Sequence, residues 1–379
     1  GLLAGDALRR AAGSSGQVLP RSRRLTRAET TRYAPTVRTG GLRGGLLSWD
    51  GQLYDDARLV VGLARTAAGH GAVVLTRCAA EQVTGDGAVL HDRLTGDRID
   101  LAARAVVNAT GVWAGQVAPG IALRPSRGSH LVFDRSAFGG LTAGLTAPVP
   151  GSVNRFVFAL PAPDDRVYVG LTDEEAPGEV PDVAQPTESE IDFLIGTVNR
   201  VLAVPVSRAD MIGSFAGLRP LLSADGRTAD VSRRHAVITA PDGLVTVIGG
   251  KLTTYRRMAE DALDVVLARR RIEARQCSTR RLPLVGAGAV ASTAPARLRF
   301  KYGTEAAAVL AEAGGDPALL APIADGIPTT GAELRYAVRH EGALNAADLL
   351  ERRTRIGLVP ADRDRALPAA TEALAAVPR

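Results

Sequence analysis

The chain has 379 residues, 46% hydrophobic and 23% charged, with a formal net charge of +6. That is length for two or three domains with sizeable cores, and a composition ordinary for a globular protein. No apolar run approaches the ~18 residues of a membrane-spanning helix, no signal peptide is visible, and the basic residues lack the aromatic interleaving or zinc spacing of a nucleic-acid binder.

The sequence opens Gly1-Leu-Leu-Ala with neither a Met nor a strand, and is expected to be a fragment whose natural start precedes Gly1. Residues 1–50 are rich in Arg, Gly and Leu, and predict a helix followed by loops. Arg21, Arg23, Arg24, Arg27 and Arg32 form a basic cluster, expected to be a solvated face and compatible with an anionic membrane surface. Asp55 and Asp56 then precede a run with Leu59, Val60, Leu63 and Ala67 on one face and Gly69 at its end, which predicts a helix over 57–68. Gly71–Leu75 reads as a buried strand, and 88–90 and 98–101 as further strands separated by Gly-containing turns. Ala105–Gly111 is apolar and β-branched and ends in a glycine, as in strands at the centre of an α/β sheet with a ligand at their carboxyl ends.

From Pro125 the pattern changes to alternating strands, 129–133, 155–160 and 166–171, sharing an antiparallel face. A capping box at Thr187 and Glu190 opens a helix carrying Ile191, Leu194, Ile195 and Val198. Phe215-Ala-Gly-Leu-Arg-Pro220 follows, with Gly217–Pro220 a turn, then an Asp225-Gly226 turn and a hairpin across Pro241-Asp-Gly243. The hairpin feeds Thr246-Val-Ile-Gly-Gly-Lys-Leu-Thr-Thr-Tyr-Arg256, a short strand, a glycine turn and a helix running to about Arg271, with Met258, Leu263, Val266 and Leu267 as its apolar side. Strand, glycine turn and helix start make an anion cradle, because free N–H groups face outward and the helix dipole favours negative charge. Lys251 sits in that turn and is one of only two lysines, with Lys301; a lone ammonium in an arginine-rich chain suggests a need for a compact cation.

The tail from about Leu282 is mostly helical, with helices expected over 305–313, 332–340 and 346–355. Leu284-Val-Gly-Ala-Gly-Ala-Val-Ala291 meets a loose dinucleotide pattern, but Pro295 lies close behind it and Lys301 and Tyr302 stand where an acidic strand end should be. It is expected to be a linker turn. Cys78 and Cys277 match no metal or redox spacing and read as packing residues of a reducing compartment, and no metal site is expected.

Taken in order, Tyr54-Asp-Asp-Ala-Arg-Leu59, Val107-Asn-Ala-Thr-Gly-Val-Trp-Ala114, Arg127-Gly-Ser-His130, Gly170-Leu-Thr-Asp173, Gly217-Leu-Arg-Pro220, Gly249-Gly-Lys-Leu-Thr-Thr-Tyr-Arg256 and Arg352-Arg-Thr-Arg355 resemble the FAD-dependent, quinone-linked glycerol-3-phosphate dehydrogenases, within the D-amino-acid-oxidase-like flavoprotein fold. Each segment alone is weak, but the ordered set covers nearly the whole chain. The resemblance implies an α/β (α+β) architecture: an FAD/NAD(P)-binding Rossmann-like domain, interleaved with an antiparallel-sheet substrate domain, plus a C-terminal α-helical domain. Family members carry the flavin fingerprint in a first βαβ unit at their extreme N-terminus, a unit this sequence lacks. The expected division is a partial cap segment over 1–50, FAD-binding segments over 51–120 and 216–275, the substrate domain over 121–215 and the helical domain over 276–379.

The implied reaction oxidises sn-glycerol 3-phosphate to dihydroxyacetone phosphate and passes electrons through FAD to a quinone. His130, in a Gly-Ser-His turn, would take the hydroxyl proton or polarise the developing carbonyl. Arg219, in the Gly-Leu-Arg-Pro turn, would clamp the phosphate with Arg233 as second cation. Lys251 would stabilise negative charge at the flavin or substrate, with Thr253 beside it on the substrate side. Asn108, Ala109, Thr110 and Gly111, together with Gly249, Gly250, Lys251, Leu252 and Thr253, would hold the cofactor. A cytoplasmic location with peripheral contact at the inner face of the membrane is implied, and a homodimer is compatible with it. The alternatives are a flavin oxidoreductase of the same fold acting on an amine or amino acid, and a non-catalytic remnant.

Overall fold

The structure, a computed structural model, describes residues 2–13, 15–17, 19–153, 155–222, 234–290 and 293–377. Its centre is an antiparallel sheet. The strand Leu123–Asp134 pairs along its whole length with Met211–Leu222, and on its other edge with Arg166–Gly170. Phe156–Ala162 and Leu145–Pro148 extend the sheet outward, and Glu174–Glu175 pairs with Ser126 and Arg127. Alternation divides the sheet cleanly. Leu131, Phe133, Val157, Ala159, Val167 and Val169 point to one side, where they are buried with Ile191, Leu194 and Val198 of the helix Glu188–Asn199. Each such side chain contributes roughly 1.5–3 kcal/mol on burial. The expected capping box is present: Thr187 Oγ1 accepts from the Glu190 amide, and the Glu190 carboxylate accepts from the Thr187 amide.

Gly217–Pro220, expected to be a turn, is strand: it lies inside 211–222, in register with 123–134. The strand expected from Ser129 is present but starts earlier, at Leu123, so that Gly128 is strand as well. Glycine and proline make these positions look like turns locally, but the long antiparallel ladder overrides that composition. A domain boundary at 215/216 therefore falls inside a strand, and the chain returns to the second sheet only at Ala236.

That second sheet is small. Ala236–Thr239 pairs antiparallel with Val245–Ile248, as the hairpin across Pro241–Gly243 requires, and Val245–Ile248 pairs in parallel with Val107–Asn108. The helix Asp56–Gly69 is capped by Asp55, whose carboxylate accepts from the amides of Ala57 and Arg58. A meander of Cys78–Glu81, Gly87–Asp92 and Arg98–Ala102 lies beside it. Gly71–Leu75 is not a buried strand: Val73 is 83% exposed, and no described strand pairs with this stretch. Without a neighbouring strand an extended segment can neither satisfy its backbone groups nor cover its side chains. Residues 1–50 hold two helices, Leu2–Ala11 and Arg27–Tyr33, and also an unexpected two-stranded pairing of Arg23–Leu25 with Gly45–Leu47.

The helix after the glycine turn spans Tyr255–Arg270 and buries Ala262 and Val266, whereas Leu263 is 54% exposed instead of packing with them. Beyond it, Gly286 and Gly288 have positive φ, and the Gly286 carbonyl accepts from the Thr304 amide. This is a turn without a preceding strand, so the loose dinucleotide pattern has no cradle. The C-terminal region packs the helices Ala296–Tyr302, Ala306–Ala311, Gly331–His340 and Pro360–Ala376 with a π-helical turn, Asp348–Arg353, and a short strand pair, Pro322–Ala324 with Ile327–Thr330. Leu334, Leu349, Leu350, Ala366 and Ala370 form its core. Ion pairs fasten it to the rest: Arg58 to the fully buried Glu341 carboxylate at 2.7 Å, Arg65 to Glu305 at 2.8 Å, and Arg77 to Asp348 at 2.7 Å.

Candidate active site

The side of the central sheet away from its core gathers His130 and Arg219 of the expected site. His130, Phe215, Arg219, Ser126 and Tyr168 all point to it, because their strand positions differ by even steps through the register. Phe215 stacks on the His130 imidazole, with centroids 4.8 Å apart and planes 6° from parallel, and Tyr168 meets the Phe215 ring edge-on.

Two glycines make this arrangement possible. A Cβ at Gly170 would lie 2.2 Å from His130 Cδ2, and one at Gly128 would lie 2.3 Å from Arg219 Nη2. The imidazole and the guanidinium therefore lie flat across the strands, each over a position with no side chain. Gly170→Ala is expected to push the imidazole out of place and lower turnover about tenfold or more, since small misplacements of a reacting group are costly. Single-turnover rates check this, and a rate matching the parent would contradict it.

Arg219 is held from behind. Both Nη atoms donate to the Thr172 carbonyl at 3.3 Å, and Nη1 pairs with Asp173 at 3.3 Å, while Ser126 donates to the same carboxylate. Its orientation is fixed before any ligand arrives. His130 is uncharged near neutrality: burial comes first, then the Arg219 and Arg355 cations, and against a smaller opposing effect of Asp56 they take its pKa from 6.5 down to about 4. Its Nδ1 is sealed from solvent without a hydrogen-bond partner among the described residues, which leaves Nε2 to meet a ligand.

The second group of expected residues lies at the carboxyl ends of the parallel pair. Asn108 is buried, and its side chain is fully engaged within the chain. Nδ2 donates to the Ala114 carbonyl at 3.1 Å and to Thr246 Oγ1 at 3.3 Å, and Oδ1 accepts from the Thr110 amide and hydroxyl. It shapes the strand end, leaving exposed Ala109 and Thr110 and half-buried Gly111 to face a ligand. On the neighbouring strand, Gly249 and Gly250 adopt φ of +77° and +74°. A Cβ at Gly249 would lie 2.9 Å from the Arg234 carbonyl, and one at Gly250 would lie 2.4 Å from Met258 Sδ. Lys251, Leu252 and Thr253 follow as an exposed rim, where a 3-10 turn, Leu252–Thr254, leads into the helix. Among the described residues the Lys251 ammonium has no carboxylate partner. These paired left-handed glycines, at the end of a strand and just ahead of a helix, fit a flavin cofactor. The long strand Met211–Leu222 touches both Gly111–Trp113 and Val245–Ile248, so one element carries Phe215 and Arg219 to the edge of this rim.

Arg233 lies outside the described residues. Residues with no role assigned from sequence also enter the site: Phe215, Gly128, Gly170, Asp173 and, from the C-terminal region, Arg355. The segments 127–130, 170–173, 217–220 and 352–355 contain four of them, so the ordered set of short segments was the available signal. Only Phe215 lay outside any of them.

Residues 3–256 match the family model described as FAD dependent oxidoreductase, and residues 277–378 match the C-terminal domain of alpha-glycerophosphate oxidase. The chain is 54% identical to glycerol-3-phosphate dehydrogenase 1 of Mycobacterium tuberculosis over 99% of its own length and 75% of that protein. It is 35% identical to glycerol-3-phosphate dehydrogenase 2 of the same organism, over 90% of this chain and 62% of that one. Among solved structures, the glycerol-3-phosphate dehydrogenase of Bacillus halodurans, complexed with FAD, superposes with a TM-score of 0.74 at 26% identity, covering 93% of this chain and 76% of that one.

Proposed function

The chain belongs to the FAD-dependent glycerol-3-phosphate dehydrogenases, and on that premise we propose that its sheet face oxidises the C2 hydroxyl of sn-glycerol 3-phosphate to the ketone of dihydroxyacetone phosphate. The observation that supports the reading is the pairing of a neutral, buried imidazole with a pre-anchored guanidinium on one face, each over a glycine. FAD, when bound, supplies the acceptor for the hydride that leaves C2. Ala109, Thr110, Gly111 and the Gly249–Thr253 rim would hold it, with the Lys251 ammonium favouring negative charge on it.

Arg219, anchored by Thr172 and Asp173, would bind the phosphate dianion through its guanidinium charge and thereby orient C2. His130 Nε2 takes the proton of the C2 hydroxyl as the carbonyl forms. The phosphate charge, set against the guanidinium, offsets one of the cations that depress the imidazole and makes it a better base once substrate is in place. Thr253 and Lys251 border the same opening. A quinone is the proposed electron acceptor. No helix among the described residues is long and apolar enough to cross a membrane, and peripheral contact through the basic N-terminal segment is part of the proposal, as is a homodimer.

Anaerobic addition of glycerol 3-phosphate to the FAD-supplemented protein is expected to bleach its visible absorption. Because the imidazole acts neutral, the acidic limb of that reduction at saturating substrate is expected to lie below the ordinary histidine value of 6.5, towards the free-protein value of about 4. Reduction by an amine or amino acid and not by glycerol 3-phosphate would favour the amine-oxidising reading. A chain that takes up no FAD would favour a non-catalytic module.

A further inference from the structure

Arg355 belongs to the C-terminal helical region, yet its side chain is part of the surroundings of His130. Its backbone is left-handed, with φ of +59°, at the start of the 3-10 turn Ile356–Leu358. A non-glycine residue is strained there, and such outliers recur where a side chain must be aimed. The guanidinium lies over the Phe215 ring, 5.5 Å from its centroid, and this is the ring stacked on the imidazole. Its Nη1 is held at 2.5 Å by Asp56, the first residue of the helix Asp56–Gly69, and at 3.9 Å by Asp55. Arg355 and Tyr168 also line one cavity between the sheet and the C-terminal region.

We propose that Arg355 is a positioning residue for the catalytic histidine: from the C-terminal domain its guanidinium keeps Phe215 flat against the His130 imidazole and sets a fixed cation beside it. The inference rests on the proposed role of His130 as the base.

An aromatic face attracts cations, so a phenyl ring stacked on imidazole would by itself favour the imidazolium. Arg355 already satisfies the quadrupole of that ring and repels a second positive charge close to it, so the stack holds the imidazole in place without inviting its protonation. The charged groups facing His130 are Arg219 from the long strand, Arg355 from the C-terminal turn and Asp56 from the helix start, and Tyr168 on the adjacent strand stays uncharged because burial raises its pKa. Asp56 acts in two ways, as a weak opposing charge on the imidazole and as the clip that holds Arg355.

The test is a histidine NMR titration of the full-length chain, which needs no turnover. Arg355→Gln is expected to raise the His130 midpoint by about one pH unit, a tenfold gain in proton affinity. Arg355→Lys keeps a cation there and is expected to move the midpoint by much less. Asp56→Asn, which removes the opposing carboxylate, is expected to lower the midpoint, a sign that a merely structural loss would not produce. If Arg355→Gln does not fold, the directions seen with Asp56→Asn and Arg355→Lys decide the matter. A midpoint unmoved by Arg355→Gln and Asp56→Asn in folded protein overturns the proposal and leaves the assigned reaction intact. A protein whose His130 titration responds as expected but which never oxidises glycerol 3-phosphate overturns the function and leaves the contact standing.

Discussion

Replacing Arg219 by alanine is expected to lower kcat/KM for glycerol 3-phosphate by about 10²–10³-fold, with most of the loss in KM. Hydrogen bonds from a guanidinium to an ionised group are worth about 1.5–3 kcal/mol each. Losing a pair of them costs about 3–5 kcal/mol, and each 1.4 kcal/mol is tenfold. The phosphate does not react, so its clamp acts on ground and transition states alike and appears first in KM. Some loss in kcat follows because the same contact orients C2 over the histidine. Arg219→Lys is a sharper probe: it restores charge without the planar fork, and is expected to recover only part of the activity. The guanidinium also bonds the Thr172 carbonyl and Asp173, so the thermal midpoints of both variants must accompany the kinetics. Unchanged kinetics in folded Arg219→Ala would refute the clamp.

The largest effect on stability is expected at Glu333, in the C-terminal helical region. Its side chain is fully buried. It accepts hydrogen bonds from Lys301 Nζ at 2.9 Å, the Tyr302 hydroxyl at 3.1 Å, the Thr330 amide at 2.9 Å and the Arg297 guanidinium. Removing one partner from a buried charge network leaves the others unpaired, which typically costs about 3–5 kcal/mol. Glu333→Ala strands Lys301, itself only 4% exposed, beside Arg297. Glu333→Gln keeps the shape and loses the charge, and is expected to lie between that variant and the parent. Burial on its own would raise the Glu333 pKa, but Lys301 and Arg297 outweigh it and hold the carboxyl at about 2 instead of 4.5. The folded value is depressed, so this stabilisation is fully present above pH 4.5 and is lost as pH falls towards 2. Thermal unfolding of parent and variant across that range should therefore converge in acid. Equal stability at neutral pH would show that the network contributes nothing.

Much of this architecture was legible in residue patterns, and the failures have physical causes. The capping box at Thr187 and Glu190, the hairpin across Pro241–Gly243 and the double-glycine turn rest on local chemistry, and local chemistry decided them. Arg219 was expected in a turn because glycine and proline flank it, and the strand carrying His130 was expected to begin only at Ser129. Only the long-range ladder between 123–134 and 211–222 makes those segments strands, and pairing across about ninety residues leaves no local mark. Gly71–Leu75 has the composition of a buried strand, but its state depends on a neighbour that composition cannot supply. The place of Arg355 was not legible for a related reason: its segment 352–355 stood out in the sequence, but nothing local shows that it meets Phe215 and His130 from a region that follows in sequence.

The glycine beneath Arg219 has one more consequence. In register Arg219 stands opposite Ser126, but its guanidinium lies back over Gly128, two residues nearer to His130 on the same face. At ~3.3 Å of rise per residue, that puts anion clamp and proton acceptor roughly 7 Å apart along the strand. The sheet thus acts as a ruler graduated in its own pitch. It suits a short molecule whose phosphate sits one carbon from the alcohol being oxidised, and it would hold a longer-chain phosphate with its hydroxyl past the imidazole. On the proposed roles of Arg219 and His130, selectivity for chain length would follow from this spacing along the strand.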